Sequence, residues 1–269
     1  MSELYFAGID AGSTYVKAAL IKDDNIVDVM VANTGIDNSK IAENLLNSLI
    51  TKNHLNKDDI KYTIATGYSR KIIDIADEDV SEITAHAYGS KLTAPNGYKP
   101  GILIDIGGQD CKVIYLDNNY NVVNFTMNDK CAAGTGKFLE TSAQILETSI
   151  DQIGTLSLES KEPCDINSTC VVFAQTELIS LIARKYDRKD ILYGMHLSMA
   201  RRILKMINHD KFNGDIMLTG GGALNVGLKR AFEEELLRDI YVANHSQFNG
   251  AIGAARFAKE IYMENAHNE

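Results

Sequence analysis

The chain writes one short pattern twice. Residues 8–20 read GIDAGSTYVKAAL and residues 103–115 read LIDIGGQDCKVIY; each contains Ile-Asp-x-Gly and each places Lys seven residues after the Asp. Asp10 matches Asp105, Gly12 matches Gly107 and Lys17 matches Lys112. In both copies an apolar run ends at Asp and a Gly-containing turn, and a second apolar run begins at once, which is how two antiparallel strands joined by a tight turn appear. Each copy therefore reads as a β-hairpin with a carboxylate at its rim. Gly in such a turn lets backbone N–H groups approach a bound phosphate, and the Asp beside it can hold a hydrated divalent cation against phosphate oxygens. Two such rims facing each other would make a nucleotide clamp.

A third element points the same way. Residues 215–225 read DIMLTGGGALN, a strand running into three glycines and then an amphipathic segment over 226–237. Successive glycines clear the side chains from backbone on which a flat adenine or a ribose can lie, and the helix that follows offers its first N–H groups to an anion.

The remaining pattern fills in two related halves. Apolar runs at 4–9, 18–21 and 26–32 alternate with turn residues, and 39–51 has helical spacing through Ile41, Leu45, Leu46 and Leu49, so the chain opens as three strands and a helix. Residues 60–66 read as a strand, 72–75 as a short one and 82–92 as a helix. Pro95 and Pro100 bracket an Asn-Gly turn and mark the break between halves. The second half repeats the three-strand opening, ending in a strand over 121–127. Helical spacing follows at 137–147, 171–186 and 189–208, then a last strand at 239–243 and a small-residue helix over 251–262. This predicts a duplicated α/β protein with the ligand between its halves: one of residues 1–97 plus the C-terminal helix at about 250–269, the other 98–249.

Composition excludes several classes. Apolar residues make up 45% of the 269, charged residues 23%, and no stretch approaches the roughly 18 to 20 apolar residues that a membrane helix needs. The opening MSELYFAGID passes straight into a strand without the basic and apolar regions of a secretory signal, which predicts a cytoplasmic protein. Net charge is −9 and no basic block with interleaved aromatics occurs, so neither nucleic acid nor membrane is an expected partner.

Four cysteines occur, at 111, 131, 164 and 170. Cys131, in NDKCAAGTGKFLE, and Cys170, in NSTCVVFAQTELISL, each precede a helical pattern, where the positive end of the helix dipole favours a thiolate, and Ala132, Ala133 and Gly134 leave room for a bulky group. There is no Cys-x-x-Cys pair and the histidines show no ligand spacing, which argues against zinc. An iron-sulfur cube takes four thiolates, and Cys131 and Cys170 from each of two subunits would supply them across a twofold axis. The competing arrangement uses all four cysteines of one chain; against it, Cys111 falls on the strand of the second hairpin and reads as core, whereas Cys164, which follows Pro163 in a loop, is harder to exclude and reads as a structural or bystander thiol.

Taken in order, GIDAGSTYVK, ATGYSR, LIDIGGQD, MNDKCAAGTGKFLE, STCVVFAQTE and LTGGGALN make the chain resemble, end to end, the ATP-dependent activators of 2-hydroxyacyl-CoA dehydratases, kin of the ATPase subunits of benzoyl-CoA reductase. The paired cysteine motifs are the specific part; the others also suit the wider superfamily of actin, sugar kinases and heat-shock chaperone ATPases. The resemblance implies the actin-like fold, two subdomains with nucleotide in the cleft, and a homodimer with one 4Fe-4S cluster shared between subunits. It further implies ATP/ADP and Mg2+ in each subunit, ferredoxin or flavodoxin as electron donor, and a dehydratase as acceptor of one low-potential electron. In these roles Asp10 and Asp105 stand at the hydrated magnesium; Gly12, Ser13, Thr14, Gly107 and Gly108 surround phosphate; Gly221, Gly222 and Asn225 lie near adenosine; and Gln247 lies in the final loop beside the nucleotide. Lys17 is either a phosphate ligand or a solvent-facing strand residue. Gln109 can orient a hydrolytic water but is a poor base, which suits slow, gated turnover. Glu177 is an alternative water or ribose contact. The helices beginning near Cys131 and Cys170 are expected to tie cluster to nucleotide. Alternative readings are the activator of a benzoyl-CoA-type reductase or other low-potential cluster enzyme, and a sugar or acyl-group kinase of the same fold, although no Asp-x-Gly-Gly catalytic motif stands apart from the hairpin.

Overall fold

The computed structural model describes residues 4–166, 171–208 and 214–268. They fall into two compact units, one drawn from Met1–Tyr98, Leu116–Val123 and Ala243–Glu269, the other from Lys99–Tyr115 and Asn124–Val242.

In the first unit β1 (Tyr5–Ala11), β2 (Tyr15–Lys22) and β3 (Asn25–Asn33) form an antiparallel meander. Helix α1 (Asn38–Lys52), capped by the Asp37 carboxylate accepting from Lys40 N, leads to β4 (Ile60–Thr66), which pairs parallel to β1. The sheet order is β3-β2-β1-β4-β5, with β5 (Glu78–Asp79) at the edge. Residues 72–75, expected as a strand, are not one: a 3-10 turn covers Arg70–Ile72, and the edge strand forms further on, where Glu78 and Asp79 pair with Ile64 and Ala65. Of the three apolar residues that suggested a strand, Ile73 is buried in the core beneath α1 and Ile75 packs against it, while Ile72 stays exposed.

β1 is buried on both faces because two helices sandwich it. Ala7, Ile9 and Ala11 point toward α1, against Leu45 and Leu49, while Phe6 packs with Ala254, Ala255 and Ala258 of α8 (Asn249–Asn268). Each buried Ile, Leu or Phe contributes about 1.5–3 kcal/mol. Alternation along the strand then sets Gly8 and Asp10 on the α8 face. A Cβ on Gly8 would lie 2.0 Å from Ala251 O, so only glycine lets α8 come so close to the strand that ends at Asp10. On its other flank α8 packs against α2 (Glu82–Thr93), where a Cβ on Gly253 would meet Ala85 O at 1.7 Å.

The second unit repeats the plan. β6 (Pro100–Ile106), β7 (Cys111–Leu116) and β8 (Val122–Asn128) open it, β9 (Asp215–Thr219) pairs parallel to β6, and β10 (Tyr241–Val242) pairs parallel to β9. Read from the hairpin edge, the order β8-β7-β6-β9-β10 matches β3-β2-β1-β4-β5 strand for strand. Between β8 and β9 lie α3 (Gly136–Ile145), α4 (Ile150–Ser157), α5 (Val171–Ala183) and α6 (Arg188–Leu204), and α7 (Val226–Leu236) follows β9. Helix α4 was not expected from the sequence, because its Gly154 interrupts the spacing; glycine is needed there because a Cβ would lie 2.8 Å from Asn225 Oδ1. The core joins Ile104, Ile106 and Val113 of the sheet to Phe138, Leu178, Met195 and Phe232 of the helices. Among the described residues no helix is long and apolar enough to cross a membrane.

Candidate functional site

The duplication extends from sequence to side-chain geometry. Antiparallel register sets Asp10 directly opposite Lys17 and Asp105 directly opposite Lys112. Lys17 Nζ is 2.7 Å from Asp10 Oδ2, so it turns to the carboxylate rather than lying in solvent. Lys112 Nζ is 2.8 Å from Asp110 Oδ2 and 3.4 Å from Asp105 Oδ2, with its side chain only 3% exposed. Two carboxylates against one ammonium leave these three groups with one excess negative charge, a setting that favours a cation in the second rim. The turns match as well: Gly12 N donates to Tyr15 O at 3.1 Å and Gly107 N to Asp110 O at 3.0 Å.

The parallel strand completes each rim. Thr66 of β4 lies opposite Asp10 and Thr219 of β9 opposite Asp105, and each Thr is followed by a glycine with positive φ, Gly67 at +93° and Gly220 at +81°. A Cβ on Gly67 would lie 2.7 Å from Asp10 Oδ1, and one on Gly220 would lie 2.6 Å from Asp105 Oδ1. Both carboxylates therefore sit in cradles that only glycine leaves open. Thr219 Oγ1 also donates toward Asp105 Oδ1 at 3.3 Å. Sequence reasoning missed Thr66, Gly67, Thr219 and Asp110 as parts of the site, and read Gly220 only among the three glycines near adenosine rather than as the cradle of Asp105. The matching Thr-Gly at the end of each parallel strand, in ATGYSR and LTGGG, was the signal available.

Ser13 and Thr14 occupy the first turn, half-buried, and the turn is tied down by Thr34, whose Oγ1 donates to Gly12 O at 2.8 Å and whose N donates to Thr14 O at 3.0 Å. Gln109 is exposed at the tip of the second turn. Gly107 and Gly108 accept from the head of α3: Gly136 N reaches Gly107 O and Lys137 N reaches Gly108 O, both at 2.8 Å.

In the Gly-rich loop a 3-10 turn covers Gly221–Leu224. A Cβ on Gly221 would meet nothing within 4 Å, whereas one on Gly222 would strike the Ile106 side chain at 2.4 Å. Gly221 thus lines open space and Gly222 is required by packing on β6. Asn225 caps α7, its Oδ1 accepting from Leu228 N at 3.0 Å, and its Nδ2 lies 3.0 Å from His196 Nε2. With Oδ1 engaged by Leu228, Nδ2 is the donor, so the histidine proton sits on Nδ1. His196 is fully buried, its Nδ1 has no hydrogen-bond partner, and burial pulls its pKa down from 6.5 to about 3, holding the ring neutral. Gln247, in the first unit, is half-buried in the 3-10 turn Ser246–Phe248 that leads into α8, and a Cβ on Gly250 three residues later would lie 3.2 Å from Asp10 Oδ2.

The cysteines separate by environment. Cys111 is fully buried in the core of the second unit, where burial pushes its thiol pKa far up. Cys164 is buried too, its thiol also raised by burial, and its backbone is pressed against Gly194. Cys131 is half-buried, beside Ala132, Ala133 and Gly134, and its backbone is clamped by Asn128, which accepts from Cys131 N at 3.1 Å and donates to Cys131 O at 2.9 Å. It does not head α3 as expected: a 3-10 turn at Ala132–Gly134 intervenes and α3 starts at Gly136, so the positive end of that helix faces the Gly107–Gly108 turn. The positive charge beside the Cys131 sulfur comes instead from Arg202, whose Nη1 lies 3.6 Å away. Of the described cysteines only Cys131 has the exposure, small neighbours and cationic partner that suit a ligand to a bulky inorganic group. Cys170 lies outside the described residues. Among the described residues no three of His, Cys, Asp and Glu gather as a metal site.

The two five-stranded sheets of one topology, each carrying an Asp rim closed by a Thr-Gly turn, have the fold shared by actin-like ATPases and sugar kinases. A ROK family glucokinase from Streptomyces griseus, solved with glucose and AMPPNP, shares this fold at a TM-score of 0.54 with 15% identity, covering 95% of this chain and 99% of that one. The sequence profile of the BadF/BadG/BcrA/BcrD ATPase family matches residues 7–258, and the chain belongs to that family. It is 40% identical over 257 residues to the (R)-2-hydroxyglutaryl-CoA dehydratase activating ATPase of Acidaminococcus fermentans, spanning 95% of this chain and 97% of that protein. The activator of the 2-hydroxyisocaproyl-CoA dehydratase from Clostridium difficile, solved with bound ADPNP, superposes with a TM-score of 0.91 at 37% identity over 99% of this chain and 98% of that one.

Proposed function

We propose that the chain is an ATP-hydrolysing activator that works as a homodimer and delivers one low-potential electron to a 2-hydroxyacyl-CoA dehydratase. The observation that carries this reading is the direct bonding of the Gly107–Gly108 turn to Gly136 and Lys137, five and six residues after Cys131. A change at the second phosphate turn therefore reaches the cysteine through five residues of backbone.

In this reading Asp10 and Asp105 hold a hydrated Mg2+ in the glycine cradles, and Gly12, Ser13, Thr14, Gly107 and Gly108 present backbone and hydroxyl groups to phosphate. Gly221 lies beside adenosine; Gly222 and Asn225 shape that wall through the packing and capping described above, and Gln247 approaches from the final loop. Gln109 orients the attacking water, and Lys17 and Lys112 hold the two carboxylates in place while balancing their charge. Cys131 and Cys170 of both subunits hold a 4Fe-4S cluster, which supplies one-electron chemistry when bound. Ferredoxin or flavodoxin is the donor. The relatives named as dehydratase activators support the acceptor, and the exposed Gln109 in place of a catalytic carboxylate supports slow turnover over phosphorylation of a small molecule.

Purification under nitrogen tests this directly. The expected product is a brown dimer with about four iron atoms per two chains, colourless after Cys131→Ala or Cys170→Ala but still able to bind ATP. A colourless wild-type protein with full ATPase activity would overturn the proposal.

A further inference from the structure

The side chain nearest to settling how Cys131 behaves comes from a distant part of the chain. Arg202 stands near the end of α6, half-buried, and its stem passes Gly134, where a Cβ would be 3.9 Å from Arg202 Cδ. That route brings Nη1 to 3.6 Å from the Cys131 sulfur. Its neighbour Arg201 turns the other way, to Glu235 of α7 at 2.9 Å. Six residues earlier on α6, about 9 Å along a helix at 1.5 Å per residue, His196 meets Asn225 Nδ2 at the end of the Gly-rich loop. One helix thus touches the loop assigned to adenosine with one side chain and the sulfur with another. The helices beside the two cysteines are therefore not alone in linking the two places.

We propose that Arg202 is a positioning residue for Cys131: its guanidinium donates to the ligand sulfur, favours the reduced state of the group held there, and rides on a helix fixed at Asn225 by His196. This rests on the reading of Cys131 as a cluster ligand. The physical sign is definite. A guanidinium is always charged, an N–H···S bond to a thiolate is charge-assisted, and one added electron makes the sulfur environment more negative, so the cation stabilises the reduced form and raises the potential. With Arg202 close, a one-electron reductant of the ferredoxin class loads the site more readily. A shift of α6 that draws Arg202 away makes the same electron easier to give up to the acceptor. The electron count is closed: the donor is oxidised by one electron, the acceptor is reduced by one, and Arg202 neither gains nor loses a proton.

The test is a dye-mediated potentiometric titration, followed by electron paramagnetic resonance, of the iron-loaded dimer as wild type, Arg202→Gln and Arg202→Lys, each with and without ADPNP and Mg2+. Arg202→Gln is expected to lower the ratio of reduced to oxidised protein about tenfold at a fixed potential, a shift of about 59 mV to more negative values for a one-electron couple. Arg202→Lys, which keeps the charge but not the planar fork, is expected to recover most of that loss, and the nucleotide-dependent shift is expected to shrink in Arg202→Gln. Loaded variants with the wild-type potential in both nucleotide states would overturn the inference while leaving the proposed function intact. A wild-type protein that holds no iron would overturn both.

Discussion

His196 makes stability depend on pH in a way that can be worked out beforehand. The ring is fully buried in α6, and burial depresses its pKa from 6.5 to about 3. Because the folded value is the lower one, the unfolded chain binds the proton more readily between these two values, so the histidine's contribution is fully present above pH 6.5 and drains away as pH falls. Linkage with these two values gives a loss of about 1.4 kcal/mol between pH 7.5 and 5.5 from this one group. His196→Gln retains an oxygen that can accept from Asn225 Nδ2, yet has no proton to bind. Urea unfolding at 25 °C, followed by circular dichroism at both pH values, isolates the effect, because the other histidines titrate equally in both proteins and most carboxylates remain ionised. The wild type should lose about 1.4 kcal/mol more than His196→Gln over this interval. Equal losses in the two proteins would refute the argument that the ring is buried, neutral and short of a partner.

Gly220 has φ +81° and ψ 176°, a region open essentially to glycine, and its Cβ position is 2.5 Å from Ile106 O as well as close to Asp105. Gly220→Ala should cost about 1–3 kcal/mol in strain alone, measured as a fall in the urea midpoint, and should weaken ADPNP binding by calorimetry more than Gly221→Ala, whose side chain enters open space. Lys112→Met leaves Asp105 and Asp110 without their shared ammonium and should destabilise the chain by about 3–5 kcal/mol, whereas Lys17→Met, at a rim with one carboxylate and more exposure, should cost less. Asp105→Asn should keep the fold by circular dichroism and lower the Mg2+-dependent rate of ATP hydrolysis about 100-fold or more, the scale of losing one charge-stabilising group.

The parts of this molecule that repeat locally were legible in its sequence. The two hairpins fall within 13-residue stretches, so their strands, their Asp–Lys registers and their turns could be read from alternation and glycine placement alone. What completes each rim comes from far along the chain: Thr219 joins Asp105 through a parallel pairing across 114 residues, and no local pattern announces that. The same distance concealed Arg202, which reaches Cys131 from 71 residues away. Cys131 itself was found by its small neighbours, but the reason given for its charge was misplaced, since a single 3-10 turn separates it from α3 and hands the helix dipole to the Gly107–Gly108 turn. Helix α4 was lost to its glycine, and the strand expected at 72–75 was lost because Ile73 and Ile75 serve the core rather than a sheet. His196 gave no sign at all, because a buried neutral histidine inside an amphipathic helix looks like any polar interruption until Asn225 is seen against it.

The coupling of nucleotide to electron is tested most directly by mixing the reduced, iron-loaded dimer with a purified 2-hydroxyacyl-CoA dehydratase under nitrogen and measuring dehydration with MgATP, with MgADP and with no nucleotide. Dehydration that starts only with MgATP, and is absent with Cys131→Ala, is the result expected of an ATP-gated electron donor. Dehydration that proceeds equally with no nucleotide, or ATP hydrolysis with no electron reaching any dehydratase, would contradict it.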